Sequence, residues 1–105
     1  MDDEDRRILR LFASRVRERF PEAEVWAFGS RARGGARWDS DFDVCVVLET
    51  VDRASRAVIS DLAWEVGYEN ERVITLVPFS KEDFEAGPPS ESTLVQTILR
   101  EGVRA

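Results

Sequence analysis

The segment DFDVCVVLE, residues 41–49, constrains the fold of this chain more than any other stretch. It begins with polar and apolar residues in alternation and then becomes apolar at every position from Val44 to Leu48. An alternating strand buries one face, whereas a strand that is apolar at successive positions is covered on both faces. We therefore predict that residues 41–49 form the central strand of a β-sheet.

Periodicity elsewhere predicts helices and further strands around that central strand. In order, these are a helix over 2–20, a strand over 24–29, a turn over 30–35, the central strand, a helix over 51–67, a strand over 72–79, a short helix around Phe84 and a last helix that ends at Gly102. The turn is either a plain turn or the start of a short helix with Ser30 as its N-cap, and Gly67 is the predicted C-cap of the longer helix. This order predicts an α+β fold, an α/β sandwich in which helices pack on a small mixed β-sheet.

The length of the chain and its apolar runs bear on its organisation and location. The 105 residues suffice for one domain, which we expect to span residues 1–105. No apolar run approaches the roughly 20 residues of a membrane helix. The acidic start MDDED is unlike a targeting signal, so a cytoplasmic location is expected.

Composition excludes several kinds of chemistry. Histidine is absent, which rules out catalytic triads and zinc sites that depend on it. The only cysteine, Cys45, lies in the central strand, where we expect it to act as a small buried apolar residue. The net charge of −6 argues against broad binding to nucleic acid. Catalysis would have to depend on carboxylates, hydroxyls, basic side chains and a hard metal ion.

Two aspartates stand where the central strand begins. Asp41 and Asp43 are two positions apart in an extended segment, so their side chains point to the same face, with roughly 6–7 Å between their backbones. Two carboxylates on one face repel each other unless a cation lies between them. Mg²⁺ prefers carboxylate and phosphate oxygens as ligands, so the pair predicts a magnesium site.

The segment GSRARG, residues 29–34, offers positive charge and backbone donors just before the aspartates. Gly29 permits a phosphate to approach the backbone closely, Ser30 supplies a hydroxyl, and a turn into a helix exposes amides. Arg31 and Arg33 would add charge-assisted contacts. A phosphate-binding turn beside a two-carboxylate metal site predicts nucleoside triphosphate chemistry. Taken singly, each feature is more often structural, since a DxD pair commonly belongs to a turn and arginines commonly lie on a solvated face.

The arrangement Gly29-Ser30, Arg33-Gly34 and Ser40-Asp41-Phe42-Asp43 resembles the GSxARGxxxxxSDxDxxV pattern of the DNA polymerase β-like nucleotidyltransferase superfamily. The size of the chain is similar to that of its stand-alone branch, the minimal nucleotidyltransferases (MNT). The resemblance implies that Ser30 and neighbouring amides hold the β- and γ-phosphates of ATP, and that Asp41 and Asp43 bind a pair of Mg²⁺ ions. It implies transfer of AMP to a hydroxyl with release of pyrophosphate. Because small MNT proteins are often partnered by HEPN-domain toxins, it also implies a HEPN partner whose tyrosine is a candidate acceptor.

One position departs from that pattern. Active members of the superfamily usually carry a third carboxylate on the following strand, and the resemblance implies that Thr75 occupies this place here. A neutral hydroxyl is a poor base and a weak metal ligand. The other candidate acids are Asp39, Glu49 and Glu71, and each is expected to be exposed and solvated.

Three functions therefore stay open at the level of the sequence. The first is a Mg²⁺-dependent nucleotidyltransferase, and the second is a catalytically weak or inactive antitoxin that neutralises its partner by binding. The third is a nucleotide sensor. Trp38 is the tryptophan best placed to contact substrate or partner, and the apolar face of the last helix would serve a homodimer or partner if part of it is uncovered.

Overall fold

The computed structural model describes residues 1–34 and 40–105 and confirms the predicted order of the main helices and strands. The elements are α1 (Asp3–Arg19), β1 (Glu24–Phe28), α2 (Gly29–Arg33), β2 (Phe42–Leu48), α3 (Arg53–Glu69), β3 (Ile74–Ser80), α4 (Lys81–Glu85), a 3₁₀ helix (Pro88–Glu91), α5 (Thr93–Glu101) and β4 (Val103–Arg104). The predictions for Trp38 and Asp39 concern residues outside the described ranges. None of the helices within those ranges is long and apolar enough to cross a membrane.

β2 lies inside a mixed sheet, as its apolar run predicted. Within the described residues the sheet has four strands in the order β3-β2-β1-β4. β2 pairs antiparallel with β1 and parallel with β3, while the short β4 pairs antiparallel with β1. The side chains from Val44 to Leu48 are all buried, because β2 has a strand on each edge and helices on each face.

Helices cover both faces of the sheet. One face carries apolar side chains that pack against α1 and α3, and its buried members include Ile8, Phe12, Phe42, Val44 and Ile59. The opposite face packs against α4 and α5, with a second buried cluster made of Cys45, Val47, Phe84, Val95 and Ile98. Successive residues of β2 therefore point into different helical layers. The predicted α+β class and sandwich architecture are confirmed.

The short helix α2 begins earlier than the sequence indicated. Gly29 is its first residue, and the N-cap is Phe28, whose side chain makes no capping hydrogen bond. Ser30 therefore lies within the first turn, and the prediction that it caps the helix is wrong. Gly34 ends the helix with a φ of 82°, a left-handed conformation that glycine adopts at little cost.

The helix α3 extends beyond its predicted end. The Asp52 carboxylate accepts a hydrogen bond from the Ser55 N–H, and the Ser55 hydroxyl accepts one from the Asp52 N–H, so the two residues form a capping box. The helix continues past Gly67 to its C-cap at Asn70, and the prediction that Gly67 ends it is wrong. A Cβ at Gly67 would overlap the Arg72 carbonyl oxygen, so this glycine allows the following chain to pack closely on the helix.

β3 is an edge strand that accommodates a proline. It runs from Ile74 to Ser80, so Pro78 lies within the strand and does not end it. The Phe42 N–H donates to the Val73 carbonyl at 2.8 Å, so the backbone groups of Val73 point toward β2. Along a parallel ladder, the backbone groups of successive residues point alternately toward the neighbouring strand and away from it. By this alternation, the position of Pro78 faces away from β2. Its missing N–H therefore removes no hydrogen bond to β2.

We predict that Cys45 is chemically silent in the folded protein. Its side chain is fully buried, and burial, with a smaller effect of the Glu24 charge, raises the pKa of the thiol to about 12. The thiol is therefore protonated at mildly alkaline pH and is a poor nucleophile. We expect the native chain not to react with the thiol reagent DTNB, and to react stoichiometrically once it is unfolded in guanidinium chloride. Rapid labelling of the native chain would contradict this expectation.

Candidate functional site

Three strands bring the predicted site residues to one end of the sheet. Phe28, the last residue of β1, pairs with Asp43 of β2, and Asp43 pairs with Thr75 of β3. Paired residues of a sheet project to the same face, so the side chains of Asp43 and Thr75 are neighbours. Gly29 and Ser30 directly follow Phe28 at the start of α2. The predicted phosphate-binding turn therefore begins beside one of the predicted metal ligands.

The charge of Asp41 disfavours the ionised form of the Asp43 carboxyl. Asp41 is exposed, and Asp43 is partly buried at the start of β2. Burial raises the pKa of the Asp43 carboxyl, the charge of Asp41 raises it further, and the nearby Arg33 lowers it. A cation between two such carboxylates relieves their repulsion. The pair therefore fits a hard divalent cation such as Mg²⁺, which takes carboxylate oxygens as ligands.

Gly29 allows α2 to begin directly against the Asp43 carboxylate. Its φ of 74° lies in the left-handed region that favours glycine. A Cβ at this position would overlap Oδ2 of Asp43. A larger residue would therefore strain the backbone and displace the carboxylate. The glycine serves the packing of the site itself, in addition to the phosphate approach that the sequence suggested.

Ser30 and Arg33 are the polar side chains of α2 that reach solvent. Ser30 is partly exposed and Arg33 is exposed, and the effect of Arg33 on the pKa of Asp43 shows that its charge lies near the carboxylates. Nη1 of Arg33 also lies 3.7 Å from Oε2 of Glu101 in α5, and both side chains are exposed. Such a surface pair contributes about 0–1 kcal/mol. Arg33 can therefore exchange Glu101 for a phosphate at little cost.

Arg31 is held by protein groups inside the fold. Its side chain is only 4% exposed. Nη1 donates to both carboxylate oxygens of Asp5 at 3.0 and 3.1 Å, and Nε and Nη2 donate to the Ser40 carbonyl at 3.0 and 2.8 Å. The guanidinium also lies over the Phe42 ring, 5.8 Å from its centre. The sequence predicted a phosphate contact for Arg31, and these bonds give it a structural role that does not support this prediction.

Asp5 is the residue of this network that sequence reasoning missed. It lies on α1 and its side chain is 2% exposed. Because it precedes Ile8 and Leu9 by three and four residues, it lies on the helix face that enters the core. A carboxylate on such a face needs a buried cation or other partners. An acid within the apolar stripe of α1 was therefore the signal from which a buried partner could have been inferred.

A third carboxylate does not join Asp41 and Asp43 in the described part of the chain. Within residues 1–34 and 40–105, no group of three or more acidic, cysteine or histidine side chains is arranged to hold a metal ion. Glu49 follows the far end of β2. Glu71 is exposed and precedes β3 in a left-handed conformation, with a φ of 56°. Thr75 is the residue of β3 that lies beside Asp43.

Comparison with known families gives a match over nearly the whole chain. The family described as "Nucleotidyltransferase domain" matches residues 9–104. The matched range contains α2, β2 and β3, which together build the candidate site. A comparison with curated protein sequences gives no significant match.

Several solved structures share the fold. A toxin-antitoxin crystallised with AMP-PNP contains a chain with 22% identity and a TM-score of 0.61, and the alignment covers 95% of this chain and 70% of that one. The complex of a tri-AMPylated Shewanella oneidensis HEPN toxin with MNT antitoxin gives 19% identity, a TM-score of 0.58 and coverages of 95% and 70%. A Sulfolobus solfataricus protein proposed to be a nucleotidyltransferase gives 20% identity, a TM-score of 0.53 and coverages of 97% and 82%. At these identities the similarity establishes a shared fold.

We predict that replacing Asp43 with asparagine stabilises the fold. The pKa of this carboxyl is raised in the folded chain, so its ionised form lowers stability at every pH above the folded-state pKa. As the pH falls through that pKa, protonation removes the penalty. We expect the Tm of Asp43→Asn to exceed that of the wild type by on the order of a few degrees at neutral pH, and the difference to shrink in acid.

Thermal unfolding followed by circular dichroism over a pH series measures this difference. Asp61→Asn, at an exposed position of α3, is the matched control for removal of one negative charge. Mg²⁺ is expected to raise the Tm of the wild type more than that of Asp43→Asn. The explanation fails if Asp43→Asn is less stable than the wild type at neutral pH, or if the difference widens in acid.

Proposed function

The chain belongs to the nucleotidyltransferase domain family, and from this we propose that it transfers a nucleoside monophosphate, AMP from ATP, to a hydroxyl acceptor. The observation that carries the proposal is the close packing of Gly29 on the Asp43 carboxylate. The turn that would bind phosphate and a carboxylate that would bind its cation are therefore in direct contact. Such a contact is what a site for a metal-bound triphosphate needs.

We assign the triphosphate to the start of α2. The Ser30 hydroxyl and the neighbouring amides would donate to phosphate oxygens, and Gly29 leaves the backbone accessible there. The exposed Arg33 would leave Glu101 and pair with a phosphate oxygen. Arg31 would act from inside the fold, because its guanidinium holds the Ser40 carbonyl.

Asp41 and Asp43 are the residues that would hold Mg²⁺ in this proposal. The ion, when bound, supplies positive charge that offsets the charge of the phosphate oxygens during transfer. The role of β2 is to fix Asp43 between β1 and β3, and Asp41 lies immediately before this strand. Burial and then the charge of Asp41 raise the pKa of the Asp43 carboxyl, and the second of these causes supports a cation as the third member of the site.

In the proposed reaction, the acceptor oxygen forms a bond to the α-phosphorus of ATP as the bond to pyrophosphate breaks. The acceptor hydroxyl gives its proton to water or to a basic group of the partner in this step. Thr75, which lies beside Asp43, has a neutral hydroxyl and is a much poorer base than a carboxylate. We therefore propose that the transferase is slow on its own, or that its partner completes the site.

We propose a HEPN-type protein as the partner and one of its tyrosines as the acceptor. Support comes from relatives of the same fold, one a toxin-antitoxin with AMP-PNP and another an AMPylated HEPN toxin with MNT antitoxin. The outer face of α5 offers a surface for such a partner, because Leu94 and Leu99 are exposed there while Val95 and Ile98 are buried. The same surface would serve a homodimer, the other assembly that the sequence suggested. ATP as donor also agrees with the cytoplasmic location expected from the sequence.

A second function is favoured by the hydroxyl at position 75. A site with two carboxylates can bind a nucleotide and its metal ion yet transfer poorly, since no carboxylate stands at Thr75 to take the proton. In that case the chain would be an antitoxin that neutralises its partner by contact. A nucleotide sensor is a weaker alternative. Such a protein would bind ATP but would neither transfer AMP nor inhibit a partner.

The variant Asp41→Asn/Asp43→Asn separates transfer from neutralisation by contact. If the proposal holds, wild-type protein with labelled ATP, Mg²⁺ and a HEPN partner gives labelled partner. The variant loses this product by roughly 10²-fold or more, because the proposed metal ligands are gone. Asp61→Asn, distant in sequence from the motifs, is the matched control. If the wild type gives no labelled product, the proposed transferase activity is wrong. If the double variant still neutralises the partner, inhibition by contact is supported.

The variant Thr75→Asp tests the significance of the hydroxyl on β3. Thr75 is exposed, so a carboxylate there can be introduced without a cavity or clash in the core. If the missing carboxylate limits transfer, the labelled product should form faster by on the order of 10²-fold. Thr75→Asn, which has nearly the same shape and no charge, is the control and should show no gain. Equal rates for Thr75→Asp and Thr75→Asn would show that the side chain at this position does not limit the reaction.

A further inference from the structure

Asp5 links three segments of the proposed site, although it lies far from them in sequence. Its carboxylate accepts hydrogen bonds from Nη1 of Arg31 in α2, and a longer one, at 3.4 Å, from Nε of Arg72 just before β3. Through Arg31 it is connected to the Ser40 carbonyl, one residue before Asp41. The phosphate-binding turn, the carboxylate segment and the approach to β3 therefore meet at one buried carboxylate.

The planar guanidinium of Arg31 fixes the position of the Asp5 carboxylate relative to the Ser40 carbonyl. Nη1 faces Asp5, while Nε and Nη2 face the Ser40 carbonyl. Because the group is rigid, fixing one edge against Asp5 also fixes the other edge against Ser40. The Phe42 ring lies under the guanidinium and limits its tilt. The position of the Ser40 carbonyl relative to α2 thus depends on the pair between Asp5 and Arg31.

Burial indicates that this pair serves geometry more than stability. The side chains of Asp5 and Arg31 are 2% and 4% exposed. A buried ion pair adds little net stability compared with apolar residues, although removal of one partner is costly. The amine of Met1, two residues before α1, also donates to the Ala32 carbonyl at 3.4 Å, so the segment that leads into α1 contacts α2 at a second point. The first turns of α1 therefore hold α2 in a defined position.

We infer that Asp5 is a positioning residue of the site: through Arg31 it sets the place of the phosphate-binding turn at Ser30 relative to the carboxylate of Asp41. The consequence for nucleotide binding rests on the proposed function, whereas the geometry rests on the contacts above. Asp5 lies outside residues 9–104, which the family match covers, and outside the motif that contains Arg31. Its role follows from the fold alone.

Hydrogen–deuterium exchange on the full chain tests the positioning role without any need for activity. Two variants disturb the pair: Asp5→Asn, and Arg31→Lys, which keeps a positive charge for Asp5 but loses the guanidinium edge that bonds the Ser40 carbonyl. The control is Asp3→Asn, which changes an exposed acid of the same helix. In Asp5→Asn and Arg31→Lys, the backbone amides of residues 29–34 and 40–43 should exchange roughly tenfold faster than in the wild type, while those of β1 change little. Their affinity for Mg²⁺·ATP, measured by calorimetry, should fall roughly tenfold or more. Asp3→Asn should match the wild type in both measurements.

The outcomes separate this inference from the proposed function. If the Asp5→Asn variant is poorly folded, Arg31→Lys decides the matter because it retains the buried pair. Exchange in Arg31→Lys that is unchanged, or that rises evenly through the sheet, would overturn the positioning role. If the wild type itself fails to bind Mg²⁺·ATP, the proposed function fails, and the local exchange of residues 29–34 and 40–43 still decides the role of Asp5.

Discussion

The pairing of β2 with a strand on each side is the constraint on which the rest of the structure depends. Its antiparallel pairing with β1 brings the end of β1 to the start of β2, and its parallel pairing with β3 brings the starts of those two strands together. Phe28, Asp43 and Thr75 consequently form one row. Since α2 begins immediately after Phe28, the glycine-serine turn joins the carboxylates at this end of the sheet. A change in strand order would separate all of these groups.

The core supports an arrangement of charges that is unfavourable by itself. Asp43 is partly desolvated and faces the charge of Asp41, so its ionised form works against folding. The cost is tolerated because fully buried side chains anchor β2 on either side of Asp43. Phe42 and Val44 point toward α1 and α3, and Cys45 points toward α5. Functional groups that destabilise a fold commonly depend on such a rigid neighbourhood.

Local patterns predicted the parts of this structure that local forces determine. The burial of the apolar run of β2 and the short helix around Phe84 were both confirmed, since strand burial and helix capping, here by Ser80, depend on neighbouring residues. The buried pair of Arg31 was not foreseen because its partner Asp5 is 26 residues away, and nothing within the motif reveals a partner on another helix. Gly67 was misjudged for a similar reason, since the Arg72 carbonyl that it accommodates is brought there by the turn after α3. The short 3₁₀ helix and β4 have too few residues to show a period.

The exposure of Thr75 has a consequence for how such domains change over evolutionary time. The side chain at this position is exposed, and the residue pairs with Asp43 in the sheet. The fold therefore places almost no demand on which polar residue stands there. An acid can be introduced at this position, or lost from it, without a change in the packing of the core. The chemistry available at this end of the sheet can thus change by a single substitution while the architecture stays the same.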